Sequence, residues 1–124
     1  MDHAPGFLKL VNEARTRVKE ITVEQARTRL SQNPKLILMD VREDHEWEKQ
    51  HAAGAVHLGK GILERDLEGQ FPDPDAEIVM YCGGGYRSAL TADAAQRMGY
   101  RNVYSLAGGF RALVAAQWPM QSGH

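Results

Sequence analysis

Ile78-Val79-Met80-Tyr81-Cys82-Gly83-Gly84-Gly85-Tyr86-Arg87-Ser88 joins an apolar, largely β-type segment to the start of a helix-like one. The first four residues form a short continuous apolar run, as expected of a strand buried on both faces. Ser88 to Met98 has helical character and ends at Gly99, a C-terminal glycine signal. Between them lie the only cysteine of the chain and three consecutive glycines. A strand, a glycine turn and a helix in that order predict one unit of an α/β sheet.

The flanking sequence repeats this alternation. Val18–Ile21 reads as a short edge strand, and Leu36-Ile37-Leu38-Met39, Gly54-Ala55-Val56-His57-Leu58 and Asn102–Leu106 as three more. Thr22-Val23-Glu24-Gln25 is a capping-box sequence, and the helix it opens stops near Asn33-Pro34. Asp44 is placed to cap a short helix carrying Trp47. Ile62–Leu67 and Phe110–Gln117 read as further helices, with a turn-rich loop at Phe71–Asp75. Residues 7–18 carry apolar positions at helical spacing. The expected architecture is a parallel sheet of about five strands with helices on both faces. Residues 1–20 form an amphipathic helical arm and 21–120 the domain proper. Cys82, Asp40–Arg42 and Ala107–Gly109 fall at carboxyl ends of strands, where open α/β sheets bind ligands.

The composition is that of an ordinary globular chain: 124 residues, 25% charged, 43% hydrophobic, net charge −1. So little net charge gives no field that draws the chain to nucleic acid or a membrane surface. No apolar run approaches the ~20 residues needed to span a bilayer. A lone cysteine cannot form an internal disulfide, and no signal peptide is evident. Both observations point to a cytoplasmic setting.

Glycines at 83, 84 and 85 allow successive amides to turn toward one centre, and the following helix aims its unpaired N–H groups at the same point. Cys82 Sγ belongs in the middle of that cup, with Arg87 supplying a planar donor fork. Tyr86 is expected either to stack near the mouth of the pocket or simply to pack, and Ser88 to sit at the helix start. Asp40 is expected to accept hydrogen bonds from the loop or a neighbouring arginine. Arg42 is expected in a structural ion pair or in contact with substrate. His51 and His57 lack partners at zinc spacing and read as structural. Phe110 and Trp118 read as core or rim aromatics. Glu43, Asp44, Glu46, Glu48 and Lys49 read as a solvated helix face.

Four motifs in this order resemble the rhodanese family from about Ile21 to Pro119: Asp40-Val41-Arg42-Glu43, His51–Leu58, Val79–Cys82 with its loop, and Leu106–Phe110. The resemblance implies a sulfurtransferase with Cys82 as nucleophile and Gly83 to Ser88 as the cradle for its persulfide. It implies a donor such as thiosulfate, a thiol or cyanide acceptor, and no metal or other cofactor. A protein sulfur acceptor, in a carrier or redox-sensing module, is an alternative partner. Phosphatases and arsenate reductases of similar fold place one residue more than the four found here between cysteine and arginine. The shorter loop suits a single bound sulfur rather than a tetrahedral oxyanion. Gln50, Ala52 and Ala53 replace the family's usual glycine, isoleucine and proline around His51, a change expected to be structural.

Overall fold

β5 (Ile78–Tyr81) is the centre of a five-stranded sheet in the computed structural model, which describes residues 3–123. The other strands are β1 (Lys19–Ile21), β2 (Ile37–Asp40), β4 (Val56–His57) and β6 (Val103–Leu106). Their order is β1-β6-β5-β2-β4, and every pairing is parallel. The strand side chains alternate as the pleat requires. Ile78 and Met80 enter one core cluster, Val79 and Tyr81 the other, and Cys82 continues the Ile78 and Met80 side. Both faces are therefore apolar, which is why β5 reads as an uninterrupted hydrophobic run.

Helices cover both faces. On the Val79 and Tyr81 side lie α2 (Val23–Gln32) and α6 (Gly109–Ala115), through Val23, Ala26 and Leu113. On the Ile78 and Met80 side lie α4 (Lys60–Gln70) and α5 (Tyr86–Arg97), through Leu63, Leu67, Ala92 and Ala95. Leu63 and Leu67 are fully buried, and each contributes roughly 1.5–3 kcal/mol by leaving water. The Thr22 capping box forms: Gln25 N–H donates to Thr22 Oγ1 at 3.2 Å and Thr22 N–H to Gln25 Oε1 at 2.8 Å.

The N-terminal helix α1 (Pro5–Arg15) packs on α5 with Val11 and Ala14 buried. Arg17 just beyond it donates two hydrogen bonds to Asp93 of α5, at 2.9 and 2.8 Å. Met1 and Asp2 of the expected arm lie outside the described residues.

Two helix starts and one pairing depart from expectation in ways that bear on the site. The short helix α3 (Asp44–Lys49) takes Glu43 rather than Asp44 as its N-cap, because Glu46 Oε1 reaches back to the Glu43 N–H at 3.0 Å. Helix α5 begins at Tyr86, not Ser88, because Gly85 at φ +95° is its N-cap. A second, antiparallel ribbon of β3 (His51–Ala52) and β7 (Met120–Gln121) has no counterpart in the sequence pattern, since two residues per strand carry no periodicity.

After β2 the chain runs outward to β4 and then returns to β5 on the other side of β2. That reversal opens a crevice at the carboxyl ends of β2 and β5. The turn after β6 closes one side of it. Phe110 N–H donates to the Cys82 carbonyl at 2.7 Å and Arg111 N–H to the Gly83 carbonyl at 3.3 Å. Gly109 makes this approach possible. At φ +55°, an added Cβ would collide with the Cys82 carbonyl oxygen and lie 2.9 Å from the Gly83 carbonyl carbon. Gly109→Ala is expected to cost about 2–4 kcal/mol, combining left-handed strain with overpacking. Gly54→Ala, with φ +82° but open space around it, is expected to cost about 1–2 kcal/mol from strain alone. Urea denaturation of the two variants checks this; equal losses would remove the collision from the account.

Candidate active site

Cys82 follows β5 and is 1% exposed. Its Sγ lies at the base of the crevice and accepts hydrogen bonds from Gly85 N–H at 3.2 Å and Ser88 N–H at 3.3 Å. The Cys82 thiol is 3.6 Å from Ser88 Oγ, which in turn lies 2.8 Å from Ser105 Oγ. Both serines are buried. The left-handed Gly85 turns its N–H inward, and an added Cβ there would lie 3.3 Å from both Gly108 N and Leu106 O. The Tyr86 and Arg87 N–H groups, between the Gly85 and Ser88 donors in the first turn of α5, have no intrahelical acceptors.

The crevice above Cys82 has a volume of about 560 Å³. Gly83, Gly84, Arg42, Glu46, Arg87, Phe110 and Arg111 are among the residues that line it. Tyr86 closes another side together with the N-terminal segment. Its ring lies 4.2 Å from that of His3 and 6.3 Å from that of Phe7, with the Arg15 guanidinium 4.8 Å from its centroid.

Asp40 and Arg42 form a buried pair. Arg42 Nη2 donates to Asp40 Oδ2 at 2.8 Å, Nε lies 3.1 Å from each carboxylate oxygen, and the Arg42 N–H donates to Oδ1 at 2.9 Å. Nη2 also donates to the Gln50 carbonyl at 2.6 Å, and the guanidinium lies 4.2 Å from the Phe110 ring centroid. Arg42 is thus both ion-paired and part of the crevice wall. Phe110 belongs to the rim and Trp118 to the core.

Glu46 corrects the expectation of a wholly solvated α3 face. It turns toward the crevice and takes the Arg87 fork, at 2.7 Å for Nη1–Oε1 and 3.1 Å for Nη2–Oε2. The Arg87 hydrogen bonds, helped by the Glu43 N–H, hold the Glu46 carboxyl at about 2 against a usual 4.5. Both side chains are about three-quarters or two-thirds covered, at 25% and 31% exposed. His51 and His57 are occupied by carbonyls: His51 Nδ1 is 2.8 Å from Trp47 O and His57 Nε2 is 2.8 Å from Arg42 O. Both rings stack on Trp47. Among the described residues, Glu43, His45 and Glu46 bring carboxylate and imidazole atoms within 4.8 Å of one another. Glu46 is committed to Arg87, and the other two are exposed.

The rhodanese-like domain family model matches residues 22–116. The chain belongs to the rhodanese-like domain family. It is 32% identical to the thiosulfate sulfurtransferase GlpE of Haemophilus influenzae over 107 residues, covering 86% of this chain and 97% of that one. It is 30% identical over 100 residues to YrkF of Bacillus subtilis, named as a candidate sulfur carrier protein; the match covers 81% of this chain and spans about half (53%) of YrkF. A solved structure from Rhodopseudomonas palustris, described as a protein of unknown function and possible tyrosine phosphatase, superposes with TM-score 0.82 at 30% identity and 98% coverage of both chains. No helix among the described residues of this rhodanese-like domain is long and apolar enough to cross a membrane.

Four residues of the crevice went unnoticed in the sequence: His3, Phe7, Glu46 and Arg111. Phe7 carried a signal, as part of the apolar stripe of α1. Arg111 carried another, two residues past Gly109 at a helix start. Glu46 folded with its carboxyl depressed contributes stability that is full above about pH 4.5 and is lost as pH falls toward 2. Glu46→Gln is therefore expected to be less stable than the parent at pH 7, with the gap narrowing between pH 4.5 and 2. Denaturant titrations across that window check it; a constant gap would remove ionisation as its source.

Proposed function

We propose that this domain is a cytoplasmic sulfurtransferase that carries a sulfane sulfur on Cys82. The observation that carries the proposal is Sγ at the base of an open crevice, already hydrogen-bonded to two main-chain N–H groups. Relatedness to a thiosulfate sulfurtransferase supports thiosulfate as donor.

The reaction runs in two displacements. Cys82 thiolate attacks the outer sulfur of thiosulfate; a new S–S bond forms, the old one breaks, and sulfite leaves with the bonding pair. The terminal persulfide sulfur is anionic and needs donors that the thiolate alone does not use. The Tyr86 and Arg87 N–H groups at the start of α5 supply them, adding the positive end of the helix dipole. Because these dipoles are fixed before sulfur arrives, no reorganisation is needed when charge moves outward along the chain of sulfurs. An acceptor thiolate or cyanide then attacks the terminal sulfur and restores the Cys82 thiolate. Ser88 holds the inner sulfur, with its hydroxyl fixed by Ser105, and Arg87 adds positive charge beside it. Asp40 positions Arg42. No step calls for a metal or an organic cofactor.

The likeness to a possible tyrosine phosphatase favours a second reading, hydrolysis of a phosphate ester at the same cysteine. Four residues between Cys82 and Arg87, with Arg87 held by Glu46, weigh against it. A phosphoryl group needs both a wider ring and a free guanidinium. Relatedness to a candidate sulfur carrier supports a protein acceptor as the partner in the second displacement.

Incubation with thiosulfate is expected to leave the protein one sulfur atom heavier by intact mass. Cyanide should remove that atom, and Cys82→Ser should never gain it. An aryl phosphate should not be hydrolysed. A wild-type protein that gains no sulfur would overturn this reading, and one that turns over the ester would replace it with the second.

A further inference from the structure

Three guanidinium groups reach the crevice above Cys82, from Arg42, Arg87 and Arg111. Two are already engaged with carboxylates. Arg42 is held by Asp40 and Gln50, and Arg87 by both oxygens of Glu46. Arg111 forms no ion pair or side-chain hydrogen bond among the described residues, and it is exposed. Its backbone is fixed, because its N–H donates to the Gly83 carbonyl at 3.3 Å. Its guanidinium lies over the loop: a Cβ built on Gly84 would be 3.9 Å from Arg111 Cζ and Nη1. A planar cation supplied by α6 thus stands beside Gly84 on the wall of the crevice that Cys82 also lines.

We propose that Arg111, and not the loop arginine Arg87, receives the oxyanion group of the incoming sulfur donor. This deepens the sulfur-transfer reading and rests on it. A donor whose outer sulfur meets Cys82 must place its sulfonate or carboxylate outward along the crevice. Arg87 cannot take that group without releasing Glu46, which would leave a half-buried carboxylate unpaired. Arg111 offers a bidentate fork with nothing to displace. Arg87 is then a positioning residue, locked by Glu46 beside the sulfur. Arg111 is the residue that selects anionic donors.

The test uses a readout that does not depend on sulfur transfer: the rates at which Cys82 of the full chain is alkylated by iodoacetate, which is anionic, and by iodoacetamide, which is neutral. Arg111→Ala is expected to lower the iodoacetate to iodoacetamide rate ratio about tenfold, the scale of one charge-assisted hydrogen-bonded contact. Arg111→Lys should recover part of it. Arg97→Ala removes an equal charge from the far end of α5, where Arg97 faces Asp93, and should leave the ratio unchanged. In thiosulfate turnover, the loss in Arg111→Ala should fall on KM. A ratio within twofold of wild type in Arg111→Ala, or an equal fall in Arg97→Ala, would overturn the assignment. So would a loss confined to kcat. A wild-type protein that gains no sulfur but keeps the Arg111-dependent ratio would refute sulfur transfer while leaving the anion receptor intact. Failure of both reagents to reach Cys82 would overturn the open crevice itself.

Discussion

The site depends on one close approach of main chain to main chain. The turn after β6 presses against the loop after β5, with Phe110 N–H on the Cys82 carbonyl and Arg111 N–H on the Gly83 carbonyl. Only a residue without a Cβ fits at position 109. This contact pins the outer side of the cysteine loop and leaves its inner amides to face the sulfur. The same turn brings Phe110 and Arg111 to the crevice. Two strands that are neighbours in the sheet therefore build the nucleophile's cradle and its anion-facing wall together.

Around that cradle the charges are arranged in pairs, and the pairing matters more than the number of arginines. Asp40 and Arg42 neutralise each other in the interior at the end of β2. An unpaired charge at either position would be costly to bury. Glu46 does the same for Arg87 near the surface, at the cost of removing that fork from direct use. The result is a crevice with strong local dipoles and little free charge apart from Arg111. Such a site suits a small anionic sulfur bound by N–H groups, with the rest of the donor held farther out. The N-terminal helix adds an aromatic side through Phe7, whose ring stacks on that of Tyr86 of α5. Its anchoring on α5 by Val11, Ala14 and the Arg17–Asp93 pair fixes where that side stands.

The periodic features of the sequence carried over well. The inner strands β2, β5 and β6 were legible as apolar runs, because a strand buried on both faces leaves a continuous hydrophobic signature. The edge strand β1, by contrast, is Lys19-Glu20-Ile21 with only Ile21 buried. The Thr22 capping box and the Gly99 helix stop were legible because each is a local device, complete within a few residues. The cysteine loop was legible for the same reason. What failed was short or side-specific. The β3–β7 ribbon joins residues far apart in sequence through two-residue strands, so neither half signals alone. Glu46 sat in a charged hexapeptide indistinguishable from any solvated helix until α3 was docked.

The amino-acid sequence by itself determined the strand and helix alternation, the cysteine at a strand-to-helix turn, and the glycine run in which only Gly85, at positive φ, turns its amide onto the sulfur. Those properties are encoded by hydrophobic period and by the absence of Cβ atoms, both of which are local. The tertiary structure alone decided which guanidinium is free and which is held, and that α1 and α6 supply walls to the same crevice. Ion pairing and enclosure depend on distances between segments remote in the chain, and no local pattern records them.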